Sequence, residues 1–150
     1  MSSWPVLVFD IESIPDVSGL RALRQAPAQA TDAEVYAAWV QERKDRGQND
    51  FAPLHLQRVL VISCVFRNAE GLRVHSFVDK DGMSEGRIIQ GFFNTVEKHV
   101  PQLVSWNGGG FDLPVLHYRG LQHGVVADKY WDLGDDDRDF KWNNYISRYH

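Results

Sequence analysis

The stretch Val59–Phe66, Val-Leu-Val-Ile-Ser-Cys-Val-Phe, constrains this chain more than any other. It is β-branched and apolar almost throughout and too short for a typical helix, so it predicts a strand that must be buried. Asn68-Ala-Glu-Gly71 follows as a turn, and Leu72–Val78 reads as a second strand, so the two predict a β-hairpin. A second apolar run, Val6–Phe9, predicts a strand buried on both faces. It runs into Asp10-Ile-Glu-Ser-Ile-Pro15, where the proline stops it.

Helical signals lie between and after these strands. Residues 16–30 read as loop with a short helix around Leu20–Arg24. Thr31-Asp-Ala-Glu34 has the capping-box pattern and predicts a helix to about Arg46, with Val35, Ala38 and Trp39 inward. The segment 16–53 is thus a helical insertion. Ser84 is placed to cap a helix through Val100 whose inner face carries Ile88, Ile89, Phe92, Phe93, Val96 and Val100, and Pro101 ends it. Leu103–Trp106 is a short strand, Asn107–Gly110 a turn, and Phe111–Gln122 a helix stopped by Gly124. Residues 125–150 show no clear period. The order predicts a mixed α/β sheet with helices packed on it, in a strand order left open.

Composition narrows the class. At 150 residues, 43% apolar and 24% charged, the chain is a single globular domain and not a disordered tail. No apolar run reaches the ~18 residues of a membrane span, and the start lacks a secretory pattern. The one cysteine, Cys64, reads as a small buried hydrophobe, and a cytoplasmic setting is expected. The six histidines show no zinc spacing. Sixteen basic against twenty acidic side chains give a net charge of −4. That argues against a general basic coat for nucleic acid. Any such contact would be local, with cations supplying positive charge.

Two acidic segments then stand out. Asp10 and Glu12 sit at i and i+2 on a strand, on one face and roughly 6.6–6.8 Å apart along the chain, where both can reach one hard cation. Two solvated acids at an exposed strand end would give the same pattern. In Ser105-Trp-Asn-Gly-Gly-Gly-Phe-Asp-Leu-Pro114 a strand feeds a glycine turn that enters a helix through Asp112. Asp112 before Leu-Pro would also serve as a plain helix cap. The glycines are no phosphate loop, since no Gly-Lys-Ser/Thr follows.

Together these segments resemble the first and second motifs of the DEDD superfamily of 3′–5′ exonucleases, Phe9–Pro15 the first and Asn107–Asp112 the second. The trailing Leu-Pro-Val-Leu116 is similar to the proofreading domains of family B DNA polymerases and to the bacterial predicted exonucleases related to them. The resemblance implies an RNase H-like fold, a mixed five-stranded sheet flanked by helices. It implies two-metal removal of nucleotides from the 3′ end of single-stranded nucleic acid, DNA before RNA, with Mg²⁺ or Mn²⁺ as cofactor. Asp10 would bridge both metals, Glu12 would hold the first, and Asp112 would serve the second. The backbone near Ser13 and Ile14 would border the terminal nucleotide, Asn107 would lie beside the strand, and Phe111 would stack a base.

The family also has a fourth carboxylate in a third motif, four residues after a Tyr or five after a His. No Tyr of residues 113–150 has an Asp at +4. His123 has Asp128 at +5, but too soon after Asp112 for that motif. The expectation is therefore a Tyr-branch exonuclease domain that is incomplete before its last helices, binding at most one metal well, with little or no activity. The alternatives are a non-catalytic RNase H-like module that binds nucleic acid or protein, and a hydrolase using Asp10 as nucleophile. The second class would want an Asp two residues on, where this chain has Glu12.

Overall fold

The computed structural model describes residues 4–79, 84–132 and Tyr145. The sheet has four strands, β1 (Val6–Pro15), β2 (Gln57–Asn68), β3 (Gly71–Val78) and β4 (Gln102–Val104), in the order β3-β2-β1-β4. β2 pairs antiparallel with β1 and β3, the second through the expected Asn68–Gly71 turn, and β4 runs parallel to β1 with Val8 opposite Val104. The sheet is mixed as the sequence implies, with four strands among the described residues where the resemblance implied five.

Five helices accompany it among the described residues, α1 (Val17–Arg24), α2 (Asp32–Asp45), α3 (Glu85–His99), α4 (Asp112–Gln122) and α5 (Asp128–Trp131). α3 and α4 lie on one sheet face. Leu7, Phe9 and Ile11 of β1 and Val59, Ile62 and Cys64 of β2 point into this core, against Ile88, Ile89, Phe92, Phe93, Val96, Val115 and Leu116. Phe9 meets Phe92 ring to ring at 4.9 Å. α1 and α2 close over a smaller core of Leu20, Val35, Trp39, Ala52 and Leu56. None of the helices among the described residues is long and apolar enough to cross a membrane.

Four expectations need correction. β1 is longer than Val6–Phe9 and alternates in burial, so it is half-buried and not covered on both faces. The opposite face of the sheet stays open among the described residues, with Val8 and Val104 each 42% and Val74 72% exposed. Ala38 is exposed. The capping box at Thr31 forms as predicted, but the Ser84 hydroxyl makes no cap bond to α3; its backbone N–H donates to Asp79 instead. Residues 133–144 and 146–150 lie outside the described residues, and with them most of the irregular end expected of the chain.

Candidate active site

β1 and β4 are parallel, and β4 ends at Val104 while β1 runs on to Pro15, so the chain leaves β4 beside the middle of β1, at the carboxyl end of the parallel pairing, where binding crevices of open α/β sheets form. Two residues beyond the last β1–β4 pair lies Asp10, and the chain leaving β4 passes through Ser105–Phe111 into α4. Parallel pairing thus brings together two acidic segments a hundred residues apart. Asp10 and Glu12 share the open face, both exposed, between Phe9 and Ile11 in the core. A bulge follows at once, since Glu12 faces Val61 and Ser13 faces Val59, leaving Leu60 unpaired. Bulges re-aim strand ends in this way beside functional sites.

The loop after β4 is shaped by its glycines. Asn107 takes a left-handed φ of 57°, and its carbonyl accepts from the amides of Gly110 (2.9 Å) and Phe111 (3.0 Å). A Cβ on Gly110 would stand 2.4 Å from Asn107 Oδ1, so a larger residue there would have to turn the Asn107 side chain aside. The turn delivers Asp112 to the first position inside α4, with Phe111 as the cap residue and no side-chain cap bond. Asp112 is therefore not the plain helix cap that its Leu-Pro context allowed.

Asp112 is 2% exposed. Its Oδ1 and the nearby Ser105 Oγ have no hydrogen-bond partner among the described residues; the hydroxyl approaches the carboxyl without closing a bond. Burial raises the Asp112 pKa above the ordinary carboxyl value, and the charge of Asp10 adds to the rise. The Ser105 hydroxyl and the Ile11 backbone amide act in the opposite direction but do not prevail. Asp112 thus senses both the Asp10 charge and the Ile11 backbone of β1. A buried carboxylate with an unpartnered oxygen is costly. A divalent cation favours oxygen ligands of this kind. The donors fit such an ion in type.

No three carboxylate, imidazole or thiol groups converge closely enough to hold a cation among the described residues. Electrostatics explains the spread. Carboxylates ~5 Å apart repel by about 3 kcal/mol at an effective dielectric near 20, and the exposed side chains of Asp10 and Glu12 are free to turn away.

The other anticipated residues border this edge. Ser13 is half-buried, its hydroxyl donating to Gln57 Oε1 at 3.0 Å. Ile14 is 42% exposed. Asn107 is exposed, and Phe111 is half-buried with its ring 5.8 Å from that of Phe51. His123 and Asp128 do not belong to the site. The His123 imidazole bonds Glu85 Oε2 at 2.7 Å, and it stands eleven residues beyond Asp112, about 16 Å along the helix.

Sequence reasoning missed the ion cluster that braces these elements. The Arg119 side chain is 4% exposed and donates to Glu85 of α3, to Asp16 just past β1 (2.7 Å) and to the His55 carbonyl (3.0 Å). Glu85 Oε1 also accepts from the Val59 amide at 2.7 Å, beside the β2 bulge. The signal was present, because α4 buries Asp112, Val115, Leu116, Arg119 and Gly120, a helical stripe with a charge near each end.

A mixed four-stranded sheet with helices against it, and acids at the carboxyl ends of its parallel pair, has the architecture of an RNase H-like exonuclease. The chain belongs to the family described as predicted 3′–5′ exonucleases related to the exonuclease domain of PolB, whose model matches residues 49–150, more than half of its length. No curated protein matches it. The matched stretch includes Asn107–Asp112 but neither Asp10 nor Glu12, so the case for those two acids rests on sequence pattern and geometry.

Proposed function

We propose that this chain is a divalent-cation-dependent 3′–5′ exonuclease of the Tyr-branch DEDD type, acting on the unpaired 3′ end of nucleic acid, DNA before RNA. Asp10, Glu12 and Asp112 would hold Mg²⁺ or Mn²⁺. When bound, such ions supply the Lewis acidity that activates a water and stabilises the leaving oxygen of a phosphodiester. The protein's own part is to bring the two acidic segments to one region of the sheet and to keep Asp112 out of water. Ser13, Ile14, Asn107 and Phe111 would border the terminal nucleotide.

The observation that carries this reading is the state of Asp112, buried with an unpartnered oxygen and sensing the charge of Asp10. Family membership supplies independent support for the reaction class. The alternative is a non-catalytic RNase H-like module that binds nucleic acid or protein.

Hydrolysis of a 5′-labelled single-stranded oligonucleotide separates the two. The proposal expects weak stepwise shortening from the 3′ end that needs Mg²⁺ or Mn²⁺ and is lost in Asp10→Ala. Cation-independent binding without shortening would favour the module.

A further inference from the structure

Phe51 is an aromatic side chain that the fold displays without burying. It lies in the stretch between α2 and β2, is 54% exposed, and contributes to neither hydrophobic core. Its backbone is nevertheless fixed on both sides. The Phe51 amide donates to Asn49 Oδ1 at 3.3 Å, and the Asn49 carbonyl accepts from Arg43 Nε at 2.6 Å. The next residue, Ala52, is 2% exposed, and its carbonyl accepts from Gln57 Nε2 at 2.8 Å.

That last bond links Phe51 to the acids. Gln57 Oε1 accepts from the hydroxyl of Ser13, the residue after Glu12. On the other side the Phe51 ring stands 5.8 Å from the ring of Phe111, inclined by 54°, and Phe111 immediately precedes Asp112. One exposed ring therefore stands against the residue before Asp112, and the residue after it in the chain is linked through Gln57 to Ser13. Holding it ready lowers the ordering cost of binding a planar group.

We infer that Phe51, with Phe111 behind it, is the platform on which the unpaired 3′-terminal base stacks. This rests on the exonuclease reading above and adds the side chain that receives the terminal base. Every base has a π face, so a stacking ring selects for an unpaired base and not for its identity. Phe51 would be a positioning residue for the terminal nucleotide.

A thermodynamic cycle tests it. Binding of a 5′-labelled single-stranded oligonucleotide is measured by fluorescence anisotropy with Ca²⁺ present. Wild type, Phe51→Ala and Phe51→Tyr are each paired with the intact oligonucleotide and with one whose 3′-terminal nucleotide lacks its base. Removing the base should weaken wild-type binding roughly 5- to 150-fold. It should weaken Phe51→Ala by less than about twofold, and Phe51→Tyr should behave as wild type. A merely structural role would lower both affinities of Phe51→Ala and leave the effect of the base intact. If base removal weakens wild type and Phe51→Ala equally, the assignment of Phe51 is overturned while the exonuclease reading stands. If wild type neither binds nor shortens the intact oligonucleotide, both fall together.

Discussion

Replacing Arg119 with methionine removes a buried guanidinium and little volume. Glu85 keeps the Val59 amide and His123, and Asp16 keeps the Gly19 amide at 3.0 Å, but both lose their cation. Breaking a buried pair from one side costs about 3–5 kcal/mol. Asp16 is more exposed, with 13% of its side chain open against 4% for Glu85, so water relieves part of its loss and the cost is counted once. For a domain of this size each kcal/mol moves Tm by about 2–4 °C, so Tm should fall by about 6–20 °C. The pH dependence adds a second arm. Burial alone would raise the Glu85 pKa, but the bonds from Arg119, the Val59 amide and His123 outweigh it and hold the carboxyl below its ordinary 4.5. Asp16 is likewise held below 3.8, the Gly19 amide and Arg119 overcoming burial. Acids with lowered folded pKa values stabilise above those ordinary values, and the stabilisation is lost as pH falls through the folded ones. Without Arg119, burial at Glu85 is opposed only by the Val59 amide and His123, so the contribution of that group shrinks. Urea unfolding at pH 7 and pH 4 should therefore show a wide gap between wild type and Arg119→Met that narrows in acid. Adding Glu85→Gln should recover part of the loss. A gap below about 1 kcal/mol at pH 7, or one indifferent to pH, would refute the reasoning.

Three further outcomes follow from the same geometry. Asp112 has a raised folded pKa, so the cation-free protein loses stability as pH rises past the ordinary 3.8; Asp112→Asn should flatten that dependence and raise stability at pH 7 by up to about 1–2 kcal/mol. The same variant should abolish thermal stabilisation by Mn²⁺, as read by melting with and without the ion. Gly110→Ala meets Asn107 Oδ1 and should cost about 1–3 kcal/mol in denaturant unfolding, whereas Gly109→Ala, with open space around its Cβ, should cost far less. Thr31→Ala removes the α2 capping box and should lower stability by about 1 kcal/mol while leaving the Mn²⁺ response intact.

The parts of the fold legible in the sequence were those fixed by local pattern. The apolar face of α3, the capping box of α2 and the Asn68–Gly71 hairpin each depend on neighbours a few residues apart. What escaped depends on distant partners. A short apolar run cannot report which sheet face a helix covers, so β1 read as buried twice over when it alternates. The bulge at Leu60 lies beside a backbone amide taken by Glu85, 26 residues away, and no local signal carries that. Asp112 showed a similar limit: Leu-Pro after it allowed a cap, but the turn over Gly110 carries it one position further, into the helix and out of water. Arg119 was overlooked although it falls on the apolar stripe of α4, where a charge requires a buried partner.

The central proposal is that Asp10, Glu12 and Asp112 form a divalent-cation site beside the carboxyl end of the β1–β4 pairing. Mn²⁺ titration followed by paramagnetic broadening of backbone amide resonances tests this without any need for turnover. The account predicts that substoichiometric Mn²⁺ first broadens residues 10–13 and 109–113, sparing the distant Asn68–Gly71 turn, and that Asp10→Ala abolishes the effect. Broadening centred elsewhere, or no localised broadening, would contradict it.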